Sequence, residues 1–209
     1  MTHLPNFIPS TFHVNLHTQT YPDLDDITTT KNKIGAAQIL SSLYGLSTFL
    51  NITGTQKLPW EVAWPDRVYD VEYRIVTSLY NDTIIASTDV KTKLGVLILH
   101  AALLFIYSNL RETPVGGGIR EKLIYRLYQA AKVADIEKIG APFPAEALWV
   151  ALVGTTSAAT GEHQRYFSDI LRQMCSRLNI WTILDMQTFL MGLPVLRKDR
   201  WQLLKDFSF

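Results

Sequence analysis

The stretch KLGVLILHAALLFIYSNLRE, Lys93–Glu112, constrains the fold more than any other part of the chain. It is apolar on every side from Leu94 to Tyr107, and its uncharged run of about seventeen residues lies at the bottom of the range that crosses a bilayer. A helix of that kind either spans a membrane or forms the centre of a helical bundle. It also carries His100, Ser108 and Asn109, its neighbours are amphipathic, and no basic loop asymmetry flanks it. The reading is therefore a central core helix and no membrane span.

The segments around it have the 3.6-residue period of helices. Ile39, Leu43, Leu46 and Leu50 make a stripe within Lys31–Asn51. A helix opening at Pro65-Asp66 turns Val68, Val71, Ile75, Val76 and Leu79 to one side and breaks at Asn81-Asp82. In Ile119–Ala134, the residues Ile119, Leu123, Leu127, Ala130 and Ala134 face inward, while Arg120, Lys122, Arg126 and Lys132 face water. Pro144 pre-sets the first turn of the next helix, with Glu146 near its positive end. In RYFSDILRQMCSRLN, Tyr166, Phe167, Ile170, Leu171, Met174, Cys175 and Leu178 share one face. WTILDMQTFLM ends at Gly192 and Pro194, and a last helix, Lys198–Phe207, carries Trp201, Leu204 and Phe207. No two-residue alternation is sustained anywhere. The expected class is all-α, an irregular domain of about seven helices around one apolar central helix. It covers residues 31–209, behind an extended or disordered acidic, Thr-rich lead-in at 1–30.

Composition narrows the function. A chain of 209 residues with 47% hydrophobic and 19% charged residues suits one domain with a full core. A net charge of +1 lacks the basic surplus of a nucleic-acid binder. Cys175 is the only cysteine, so no internal disulfide and no cysteine-based zinc cluster is expected. The N-terminus has no secretory pattern, which points to a reducing intracellular compartment.

The motifs that might carry chemistry are weak. Asp23–Asp26, DLDD, has the spacing of the acid motif of proton-initiated cyclases but lies in the least globular segment. His13 and His17 offer two of the four ligands a structural zinc needs. The glycines at 116–118 follow a helix and precede Arg120-Glu121-Lys122, which is not phosphate-loop context. Cys175 faces the core, where a thiol is inert. No catalytic residue, cofactor site or metal site is expected. His100, in the most apolar helix, is either a core histidine with a hydrogen-bond partner or the orienting group of a ligand pocket, for which Tyr107 and Trp149 are the nearest candidates.

The order of these segments resembles a known family. HAALLFIYSNLRETP, with Leu110, Arg111, Glu112 and Pro114, is similar to the Leu-Arg-Glu-x-Pro helix end of the C-terminal regulatory domain of fungal zinc binuclear-cluster transcription factors. ALWVALVGTTSAATGEHQRYFSDILRQMC resembles that domain's most distinctive block through Leu148, Trp149, Gly154, Ala158, Ala159, Arg165 and Phe167. The closing part resembles it through Trp181, Phe189 and Trp201. The likeness spans roughly residues 66–207. It implies a nuclear or cytoplasmic effector domain that acts through a protein partner, a homodimer or an apolar small ligand. In this reading Trp149 fills core volume, and Gly154 with the small residues after it lets a second helix approach.

This chain departs from the pattern at two places. The family's six clustered cysteines are absent, so direct DNA binding is not expected. Gly192-Leu193-Pro194-Val195 replaces the family's acidic ending. Three readings stay open: a stand-alone regulator, a helical small-molecule-binding protein or enzyme recruited to secondary metabolism, and a fragment of a longer regulator.

Overall fold

The computed structural model describes residues 35–53, 63–80, 89–111, 118–158 and 161–204. The lead-in at 1–30, Asp23–Asp26, His3, His13, His17, Glu112, Pro114, Ala159 and Phe207 lie outside them. The described residues are all-α: nine α-helices, one π-helical turn and no strand. In chain order they are α1 (Ala36–Thr53), α2 (Ala63–Tyr80), α3 (Val90–Phe105), the π-turn (Ile106–Leu110), α4 (Gly118–Ala134), α5 (Ile136–Ile139), α6 (Pro144–Ser157), α7 (Glu162–Leu178), α8 (Ile183–Phe189) and α9 (Lys198–Gln202). Only the short helix α5 has no counterpart among the segments expected to be helical.

Helix α3 is the hub and packs against α1, α2, α4 and α6. Asp89 caps it by accepting from the Thr92 amide at 2.9 Å, which satisfies an otherwise orphaned donor. The stretch Val90–Leu110 is long and apolar enough to cross a membrane, yet 61% of its most apolar window is buried within the fold. Its uniform apolarity is explained by neighbours on several sides.

Helix α6 is as thoroughly enclosed, with every residue from Glu146 to Ser157 buried. Burial pushes the Glu146 carboxyl above its usual range. Helix α7 lies along α6 and buries Phe167, Ile170, Leu171, Met174 and Cys175, the face its periodicity predicts. Asn179 ends α7 in the left-handed conformation, and the Ile180 amide reaches back to the Cys175 carbonyl at 2.9 Å. Thr182 and Asp185 then form a reciprocal capping box at the start of α8.

The chain between α8 and α9 has no regular structure, although Leu193, Pro194 and Leu196 are buried. Its backbone polar groups need partners, and side chains from three helical segments supply them. Trp149 Nε1 donates to the Pro194 carbonyl at 3.0 Å. The Val195 amide donates to Ser47 Oγ at 2.9 Å, and the Arg197 amide to Asn109 Oδ1 at 3.2 Å. Gly192-Leu193-Pro194-Val195 is thus part of a strap across the core.

One expectation fails at the start of α4. The periodicity put Ile119 inside and Arg120 in water. The structure reverses both: Ile119 is 44% exposed and Arg120 only 3%. The buried row runs Arg120, Leu123, Ile124, Leu127, Tyr128, Ala131 and Ala134, so Leu123, Leu127 and Ala134 face inward as expected and the departure is confined to the first turn. The C-terminal helix is also shorter than expected, ending at Gln202 with a turn at Leu203–Leu204.

Candidate functional site

Helix α2 has two apolar rows. Val68, Val71, Ile75 and Ser78 are buried in the domain. Tyr69, Tyr73, Val76 and Tyr80, spaced by four, three and four residues, are exposed instead. Helix α3, apolar all round, leaves Val96, His100 and Leu103 for the space between α2 and α4. Helix α4 adds Tyr125, Gln129, Ala130 and Val133 as the opposite wall. The result is a largely apolar groove of about 550 Å³ with Lys93 and Arg126 among its lining residues. That volume lies within the range of small-molecule sites. His163 of α7 braces the α4 wall, standing edge-on to Tyr125 and Tyr128 at 6.0 and 4.8 Å.

His100 is the polar group of the groove floor. Burial, followed by the nearby charge of Arg126, lowers its pKa to about 4. At neutral pH the imidazole is therefore uncharged, with one donor and one acceptor. Neither nitrogen has a hydrogen-bond partner among the described residues. The other charged or titratable groups along the groove are Lys93, Tyr80 and Tyr125.

The depressed value carries a pH signature. Unfolded His100 titrates near 6.5 and folded His100 near 4. Between those values the unfolded chain holds more protons, so stability rises with pH through this window and is lost as the solution is acidified. The contribution at neutral pH is expected to be about 1–2 kcal/mol, because solvent in the open groove offsets part of the burial cost. His100→Leu should flatten the rise in urea midpoint between pH 4 and 6.5. A slope identical to that of the parent protein would assign it to other groups.

The structure separates the three residues nominated for a pocket. His100 lines the groove. Tyr107 does not: its hydroxyl donates to Glu72, which also receives Arg111, and the Arg111 guanidinium lies 5.2 Å from the Tyr107 ring centre. Burial, with Glu72 beside it, raises the Tyr107 pKa. This trio fastens α2 to the π-turn and gives Arg111 a structural partner. Trp149 is fully buried against Phe105, with ring centres 5.8 Å apart.

Of the remaining residues singled out by the sequence, Leu110, Leu148 and Phe167 are buried and Trp201 is half-buried. Cys175 is buried too, its thiol pushed up to about 11 by desolvation. Among the described residues no group of three or more His, Cys, Asp or Glu comes within reach of one metal ion. The α2 and α4 walls escaped sequence reasoning, although the Tyr69, Tyr73, Val76, Tyr80 spacing is visible in the chain as a second apolar row. No family model, no curated protein and no solved structure matches this chain.

Proposed function

We propose that this chain is a helical effector domain, of the kind that fungal zinc binuclear-cluster regulators carry outside their DNA-binding module, and that it works by binding a small apolar ligand between α2, α3 and α4. The observation that carries this reading is the groove itself: apolar walls around one neutral, unpartnered histidine. A ligand with an apolar body and a single hydroxyl, carbonyl or amide would bury its surface against Val96, Leu103 and Ala130 and satisfy His100. The described lining residues include no carboxylate, thiol or aliphatic hydroxyl, which favours binding over acid-base or nucleophilic chemistry.

A second reading has its own support. The exposed row Tyr69, Tyr73, Val76 and Tyr80 continues one groove wall along α2 at the spacing of a helix-docking seam. It suits a protein partner or a second copy.

Native mass spectrometry of the protein from its own host separates these readings. A small molecule retained by the parent protein and lost in Ala130→Trp, which fills the groove, is the expected result. A ligand-free protein that forms a dimer abolished by Tyr73→Glu would replace it with the second reading. A bare monomer that also gains no thermal stability from a panel of apolar ligands would defeat the groove proposal.

A further inference from the structure

Arg120 enters the core at the first turn of α4 and is 3% exposed. Its Nη2 donates to the Ser157 carbonyl at 2.9 Å, at the end of α6. Its Nε and Nη1 are buried and have no hydrogen-bond partner. On α9, Arg200 keeps a buried Nε without a hydrogen bond, and so does the indole nitrogen of Trp201 beside it. Three buried guanidinium donors thus lack acceptors, and the charges of Arg120 and Arg200 act on one another. Guanidinium groups stay charged at any physiological pH, and buried charges in folded proteins are ordinarily paired.

The charge here is not balanced. Asp199 is the only carboxylate paired with the local arginines among the described residues. It bonds Arg197 Nε at 3.1 Å and lies 4.0 Å from Arg200 Nε. Arg120 has no carboxylate partner among the described residues, and the charge of Arg200 acts on it after burial itself. Among the described residues one acid therefore faces three cations.

The surroundings are polar and tied together. Ser157 Oγ donates to Ser108 Oγ at 3.0 Å, Asn109 Nδ2 donates to the same oxygen at 3.0 Å, and Asn109 Oδ1 accepts from the Arg197 amide. This chain of bonds links α4, α6, the π-turn and the segment that leads into α9. π-turns often mark functional positions, and here the turn provides Ser108 and Asn109.

We propose that Arg120 and Arg200 form a second binding site, separate from the groove, that receives an oxyanion, either a phosphate or a carboxylate group of a ligand. Arg120 offers a full positive charge and two free buried donors, Nε and Nη1, while its Nη2 is held by the Ser157 carbonyl. Arg200 supplies the second charge from α9, and the Ser157 carbonyl fixes the orientation of the Arg120 side chain.

The test is isothermal calorimetry with inorganic phosphate and, separately, acetate, each at an ionic strength held constant with sodium chloride. The expected result is one saturable site for at least one of the two anions. Phosphate alone would assign a phosphorylated ligand, acetate alone a carboxylate, and both a site that reads the shared oxyanion geometry. Arg200→Gln should weaken the anion by about tenfold. Arg120→Lys, which keeps the charge and loses the guanidinium's several fixed donors, should weaken it as well.

Arg120→Met should abolish binding and, without anion, be at least as stable as the parent protein, because an unpaired charge has gone. An Arg120→Met variant destabilised equally with and without anion would make Arg120 a structural strap and overturn the proposal. So would the absence of saturation with either anion, or affinities unchanged in both Arg200→Gln and Arg120→Lys. Should Arg120→Met fail to fold, Arg200→Gln still decides. His100→Leu is expected to leave anion binding intact, so failure here is distinguishable from failure of the groove proposal.

Discussion

Trp149→Ala is expected to lower the free energy of unfolding by about 3–5 kcal/mol. Three losses combine. Trp149 is fully buried, so its removal forfeits the burial of a large aromatic surface. Helices α3 and α7 enclose that part of α6 and limit collapse, so much of the volume remains as a cavity. The Pro194 carbonyl also loses the Nε1 donor at 3.0 Å and is left buried without it. Trp149→Phe divides these terms. It retains most of the ring contact with Phe105 and loses the hydrogen bond, for an expected cost of about 1–2 kcal/mol. Urea unfolding with an unchanged slope is the measurement. Hydrogen exchange at Val195 and Arg197 adds a local readout, because both amides sit in the strap that Trp149 holds. A midpoint equal to that of the parent protein would remove Trp149 from the core.

What the sequence revealed follows from where burial dominates. Helix α3 is legible because Leu94 to Tyr107 leaves no polar side to misplace. Helix α7 is legible because Asp169, Arg172, Gln173 and Arg177 alternate with a clean apolar row. Helix α4 misled because Arg120 and Ile119 trade places: a periodic reading assigns every arginine to water, and here a guanidinium is drawn inward to the Ser157 carbonyl. The groove was half legible. His100 stood out as a polar residue in an apolar helix, but its neighbours come from α2 and α4, whose positions depend on packing and not on local pattern. Tyr107 and Trp149 looked like pocket residues by sequence position and hydrophobicity, and each proved to be engaged elsewhere, by Glu72 and by Pro194.

The buried strap and the polar layer beneath it were illegible for a related reason. Gly192-Leu193-Pro194-Val195 reads as a loop, and loops ordinarily lie at the surface because their backbone needs water. Ser47, Asn109 and Trp149 replace that water from positions 45 to 148 residues away in the chain. Sequence spacing carries no trace of such pairings. It does show the polar residues themselves, Ser47, Ser108 and Asn109, on otherwise apolar helices. A polar side chain buried in an apolar run has a partner to be found, and the partner here is backbone.

Gly154→Ala is expected to cost about 3 kcal/mol, although alanine is the better helix former by about 1 kcal/mol. Gly154 lies in α6 directly against Phe167 of α7. A Cβ there would sit 2.5 Å from Phe167 Cγ and 2.6 Å from Cδ1, well inside contact distance. Phe167 is fully buried, so its ring has no free space to enter and the helices must separate instead. The conflict is local and steric, which makes it reversible by design. Phe167→Leu alone should cost about 1–2 kcal/mol as a cavity. In the double variant the smaller side chain vacates the space the new methyl needs, so the total should fall short of the sum of the two by at least about 1 kcal/mol. A double-mutant cycle by urea unfolding measures that coupling. Additive costs would mean that the α6–α7 approach is not set by the Gly154–Phe167 contact, and that the glycine is required for another reason.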